Sequence, residues 1–179
     1  MNRKLKNFEL NRLSPDMFKQ SEKFPFIVLL DNVRSLHNIG SIFRSADAFL
    51  IESVYLTGCS AKPPHRDINK TALGATETVK WVYRESVQDA IKELKKEGCI
   101  IVAVEQTEQS VSLFDFKMEN GKRYVLVLGH EVNGVEQHVI NEADLCIDIP
   151  QFGTKHSLNI SVCAGIVLCE FVNKYKCIK

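Results

Sequence analysis

Apolar and polar positions along this chain change period from segment to segment. Residues 26–30 (FIVLL) form a short unbroken apolar run, the pattern of a strand buried on both faces. Helical spacing follows at 39–49, then a second strand at 53–58 (SVYLTG). Residues 62–74 are polar and predict a loop containing a helical turn. Residues 79–84 (VKWVYR) alternate, which predicts a strand near a sheet edge. An amphipathic helix is predicted over 86–97, with Ser86 and Asp89 near its start and Gly98 stopping it. Strands follow at 99–105 and 124–129, a short helix at 135–140, and a last strand at 145–150 ended by Pro150. The final helix is predicted over 157–173, with Ser157 as a good N-cap. Strands alternating with helices imply an α/β fold, a parallel sheet covered on both faces.

The final helix has apolar residues around almost its whole circumference, including Ile160, Val162, Ala164, Ile166, Leu168, Cys169 and Phe171. Such a helix is expected to be buried on all sides. One sheet cannot cover it, so a homodimer is predicted.

Composition divides the chain into two parts. Residues 1–24 carry Arg3, Lys4, Lys6, Arg12, Lys19 and Lys23 against Glu9, Asp16 and Glu22. This is a basic N-terminal arm, with Ser14-Pro15 as a helix start. It reads either as a packing appendage or as an RNA contact. Residues 25–179 are expected to form a single domain. The formal charge of the whole is only +1, so any attraction to nucleic acid must be local. No apolar run is long enough for a membrane span, and the N-terminus has no apolar leader. A cytoplasmic protein is expected. The six cysteines include no C-x-x-C pair and lie mostly in apolar runs, which predicts reduced, buried thiols and no zinc.

Familiar site signatures fail. No G-x-G-x-x-G follows a strand. Gly129 and Gly134 have the glycine spacing of a phosphate loop, but Val135-Glu136 stands where Lys-Ser/Thr is required. His130-Glu131 begins like a metalloprotease helix, but Gly134 replaces the second His. No metal is predicted.

Three segments at strand ends remain, and strand ends are where open α/β sheets place ligands. The first carries Asn38-x-Gly40-x-x-x-Arg44, the second Leu128-Gly129-His130-Glu131-x-x-Gly134, and the third Ile149-Pro150, Gly153 and Ser157-Leu158-Asn159. Singly, each could be turn glycines and helix caps. In this order, over about 25–174, they resemble the three motifs of the SpoU (TrmH-like) RNA 2′-O-ribose methyltransferases of the SPOUT class. KTALGATE at 70–77 and AVEQT at 103–107 add to the resemblance. His130 departs from it, since the family has Asn there.

The resemblance implies a parallel-sheet SPOUT fold with a C-terminal trefoil knot, a homodimer, and S-adenosyl-L-methionine as cofactor. It implies transfer of a methyl group to a ribose 2′-hydroxyl of tRNA, possibly at a guanosine, in preference to rRNA. The catalytic set it implies is Arg44, Asn38, Glu131, Ser157 and Asn159, with Ser157 and Asn159 holding Arg44. Cofactor binding falls to Thr107, Leu128, Gly129, Ile149, Ser157 and Leu158. RNA binding falls to Arg34, Arg66 and Lys70, with His65 beside them. An arginine effectively never loses its proton. Clamping a phosphate and the developing alkoxide is therefore an easier role for Arg44 than general base. The alternatives are a catalytically silent RNA-binding module on the same fold, and a small-molecule enzyme using a nucleotide cofactor.

Overall fold

The computed structural model describes residues 2–178. Its strands are β1 (Phe24–Asp31), β2 (Ile51–Thr57), β3 (Trp81–Arg84), β4 (Cys99–Val104), β5 (Val111–Ser112), β6 (Arg123–Leu128) and β7 (Leu145–Asp148). They form one sheet in the order β3-β2-β1-β6-β4-β7-β5. Every adjacent pair is parallel. The alternating residues of β1 separate two cores. Phe26, Val28 and Leu30 face one, while Ile27 and Leu29 face the other. A strand with a core on each face must be apolar throughout, which is why FIVLL carries no alternation.

The helices are α1 (Pro15–Gln20), α2 (Leu36–Ala48), α3 (Arg66–Ala72), α4 (Ala75–Thr78), α5 (Val87–Lys96), α6 (Gln137–Glu142) and α7 (Ile160–Ile178). α5 buries Val87, Ala90, Ile91 and Leu94, the spacing of one helical face, and the Ser86 hydroxyl accepts from the Asp89 N–H at 3.3 Å. It packs with α6 on one side of the sheet. α2, α3 and α7 cover the other. There Phe26, Phe116, Tyr124 and Phe171 pack as aromatic pairs, with ring centroids 5.5 Å apart for Phe26–Phe171 and 5.4 Å for Phe116–Phe171. β3 lies at the sheet edge, as its alternation predicts.

Several expectations are corrected. Residues 62–74 hold the full helix α3, capped where the His65 ring nitrogen accepts from the Asp67 N–H at 3.1 Å. Only Ile68 and Ala72 of α3 are buried, too sparse an apolar pattern to read from sequence. α2 starts earlier than 39 because Ser35 caps it, accepting from the Asn38 N–H at 3.3 Å. α7 starts at Ile160, so Ser157 is not its cap. Asn159 is, with its carbonyl oxygen 2.9 Å from the Ser161 N–H. The two-residue β5 is too short to leave a pattern in the sequence. α7 is not enclosed by this chain, since Val162 remains 51% exposed. The cysteines are free thiols, but Cys99 alone is buried, and Cys59, Cys169 and Cys177 are exposed. An apolar neighbourhood in sequence does not decide which side of a helix a thiol occupies.

In the arm, Ser14 caps α1 by accepting from the Met17 N–H at 3.2 Å. Phe18 is 4% exposed and joins the core under α2. Arg3 is paired with Glu9 at 2.7 Å.

Candidate active site

The chain leaves β1 toward β2 on one side of the sheet and leaves β6 toward β7 on the other. β1 and β6 are neighbours, so the crevice between their C-terminal ends is a topological switch point. Glu131, in the turn after β6, bridges it. Its carboxylate accepts from the Ser35 N–H at 2.8 Å, the Arg34 N–H at 3.1 Å and the Asn38 amide at 3.2 Å. The Asn38 carbonyl oxygen in turn accepts from the Asn159 amide at 3.1 Å. One carboxylate thus joins the loops after β1 and β6, and Asn38 adds the start of α7. Burial alone would raise the Glu131 carboxyl, but the donors from Ser35, Arg34 and Asn38 outweigh it and hold it below its ordinary value.

Beside this bridge is a pocket of about 440 Å³ over the ends of β4, β6 and β7, within the range of small-molecule sites. Leu128, Gly129, Glu131, Ile149, Ser157, Leu158 and Asn159 line it, all named from the sequence. Gly129 has backbone as its neighbour: a Cβ there would collide with the Gly134 carbonyl. Glu105, Glu131 and Asp148 are in its lining, which includes no Lys or Arg among the described residues. Cys163 lies in the wall. Burial, with the nearby Glu105 adding to it, pushes its thiol up to about 11, which keeps it protonated near neutral pH.

Other predicted residues lie elsewhere. Thr107 is absent from the pocket wall. It closes a turn with Ser110, whose hydroxyl donates to the Thr107 carbonyl at 3.0 Å. The wall at that strand end is made by Glu105 and Gln106, which lie in the AVEQT segment but carry no motif of their own. Ser157 is exposed and its side chain has no hydrogen-bond partner among the described residues. Arg44 is not held by Ser157 or Asn159. Residues six apart on a helix differ by about 600° of rotation, so Asn38 and Arg44 leave α2 on different faces. Arg44 is exposed and lines a second cleft of about 620 Å³, with Arg12, Phe18, Asp47 and Leu73. Arg34 and Arg66 are exposed. Lys70 is paired with Asp67 at 2.6 Å, and that pairing holds the Asp67 carboxyl below its ordinary value.

Fold and site together define an open parallel-sheet α/β protein whose switch-point loops enclose one small-ligand pocket. The chain belongs to the SpoU rRNA Methylase family, whose model matches residues 25–169. It is 36% identical over 148 residues to the tRNA (guanosine(18)-2′-O)-methyltransferase of Aquifex aeolicus, covering 80% of this chain and 67% of that one. It is 29% identical over 155 residues to the 23S rRNA (guanosine-2′-O-)-methyltransferase RlmB of Neisseria meningitidis, covering 87% of this chain and 61% of the relative's length. Among solved structures, the A. aeolicus TrmH/SpoU tRNA modifying enzyme superposes with a TM-score of 0.79 at 29% identity, over 90% of this chain and 80% of that one. The AdoMet-bound rRNA methyltransferase from Sinorhizobium meliloti gives a TM-score of 0.78 at 28% identity, over 90% and 61%.

Proposed function

We propose that this chain is an S-adenosyl-L-methionine-dependent RNA methyltransferase that modifies a ribose 2′-hydroxyl, in tRNA rather than rRNA. One observation carries the reading: Glu131 and Asn38 bond the motif loops to one another beside a pocket whose described lining has three carboxylates and no Lys or Arg. A pocket lined by Glu105, Glu131 and Asp148, with no Lys or Arg among the described residues, disfavours a phosphate-bearing dinucleotide. It suits a ligand with a positive sulfonium. The 36% identity to the tRNA enzyme, against 29–32% to the RlmB rRNA enzymes, supports tRNA.

Leu128, Gly129, Ile149 and Leu158 would hold the cofactor. When bound, it supplies an electrophilic methyl group that needs no metal. The chain's task is then to orient the hydroxyl in line and to hold charge at its oxygen. Glu131 keeps the loops in register, and Asn38 and Asn159 stand at the boundary between pocket and α2. Arg44 clamps the phosphate beside the target ribose and the developing alkoxide with its planar donors. It does not reach the pocket of its own chain, so this role requires a second copy. The exposed side of α7 at Val162 supports such a homodimer. A trefoil knot in the C-terminal segment belongs to the same reading and rests on the family resemblance. Exposed Arg34 and Arg66, with the arm, form the RNA contact. The expected location is the cytoplasm; among the described residues no helix is long and apolar enough to cross a membrane.

The displacement of Arg44 favours one other reading, a catalytically silent RNA-binding module, if the chain is a monomer. Purified protein with labelled cofactor and either tRNA or rRNA separates the two, with mass spectrometry locating the methyl. Ribose methylation of tRNA is expected. Cofactor binding without methyl transfer to either RNA would favour the silent module, and no cofactor binding would overturn the class.

A further inference from the structure

We infer that Glu105 and Gln106 are positioning residues for the cofactor pocket, a role that rests on the cofactor reading above. They follow β4, and their side chains turn in opposite directions to two different loops. The Glu105 carboxylate accepts from its neighbour Gln106 N–H at 2.9 Å and from the Val135 N–H at 2.9 Å. It presses on Gly134, where a Cβ would collide with the carboxylate and where φ is +67°. Gly134 and His130 pair through their backbones at 2.8 and 3.0 Å, so Glu105 fixes the turn that presents Glu131. The Gln106 amide reaches the other way and donates to the His156 carbonyl at 3.0 Å. That carbonyl belongs to the exposed loop between β7 and α7, which has no strand or helix of its own.

With these two ties the pocket is encircled. Glu131 joins the loops after β1 and β6, and Asn38 joins α2 to the start of α7. Glu105 joins the ends of β4 and β6, and Gln106 joins the end of β4 to the loop before α7. A pocket built from loops must have them ordered before or during binding, and ordering them beforehand lowers the cost of binding. A hydrogen bond that holds a loop in the bound arrangement therefore acts on cofactor affinity rather than on the methyl transfer itself.

Gln106→Met tests this, because it removes the donor, keeps the length and adds no charge. Loss of one neutral hydrogen bond predicts a roughly fivefold weaker Kd for S-adenosylmethionine by calorimetry. The fold-loss in cofactor affinity should exceed any fold-loss in kcat at saturating cofactor. In the cofactor-free protein, tryptic cleavage after Lys155 should quicken, and cleavage at sites outside 151–158 should not. Unchanged cleavage in that loop overturns the tie, whatever the affinity. Faster cleavage with an unchanged Kd and KM overturns the effect on the cofactor. If wild-type protein binds no S-adenosylmethionine, the functional reading fails, and cleavage alone decides whether Gln106 holds the loop. Glu105→Gln is the companion variant. It keeps one acceptor of two, and amide hydrogen exchange should quicken at 130–135 instead.

Discussion

Glu131 accepts two backbone N–H groups and an amide, so its loops need it ionised. Its folded-state pKa lies below the ordinary value. Its contribution is therefore complete above the ordinary carboxylate value and is lost as pH falls through the lower folded value. Calorimetric cofactor affinity should hold from neutral pH into the mildly acidic range and then drop. Glu131→Gln, which turns an NH₂ toward one of the donors, should weaken binding about tenfold at neutral pH and remove most of that acid limb. An acid limb unchanged in the variant would assign it to another group. Arg44 gives the opposite pattern, since it stands outside the pocket. Arg44→Lys keeps the charge but loses the planar fork, and single-turnover methylation should slow by at least about 10²-fold. Cofactor affinity should not change. Transfer at the wild-type rate would reduce Arg44 to a surface residue.

At the scale of elements, α2 is the part whose packing is tightest against another helix. Gly40 meets α3 where a Cβ would collide with the Thr71 hydroxyl and with the Ile68 carbonyl, which is backbone and cannot move without shifting α3. Gly40→Ala should therefore cost ~1–3 kcal/mol, read as a lower midpoint in urea unfolding. Asn159 separates structure from site within one side chain. Its carbonyl oxygen caps α7, and its amide donates to Asn38. Asn159→Asp keeps the capping acceptor and loses the donor. Stability should change little while cofactor affinity and turnover fall; an equal loss of stability would make Asn159 a cap only. Every strand except β5 was legible in the chain, by an apolar run or by alternation, and α5 by its single apolar face. α3 was not, because two buried residues do not make a stripe. Ser157 and Asn159 both have capping chemistry, and only the path of the backbone into α7 selects Asn159.

At the scale of the molecule, the exposed side of α7 and the distance of Arg44 from its own pocket lead to one expectation. The wild-type chain should have the mass of a dimer by light scattering at micromolar concentration. Val162→Glu, which places a charge where Val162 is 51% exposed, should shift it to monomer and lower turnover with it. A monomeric wild-type protein would favour the silent RNA-binding reading. The arm contributes through charge. Arg3 is already paired with Glu9, so Lys4, Lys6 and Arg12 carry its attraction for RNA. Replacing these three by Gln should reduce the slope of log affinity against log salt, with cofactor affinity unchanged.

The sequence by itself determined the local facts. It marked which runs are strands, because a buried parallel strand must be apolar throughout. It also named Asn38, Glu131 and Asn159, because their order and neighbours match the family's motifs. The tertiary structure alone decided which of these meet. Asn38 and Asn159 are bonded across 121 positions, and Arg34 and Glu131 across 97. Such pairs depend on β6 lying between β1 and β4 and on the rotation of α2, and no local period encodes either. The same strand order brought Glu105 and Gln106 to the pocket, and the turn of α2 carried Arg44 away from it.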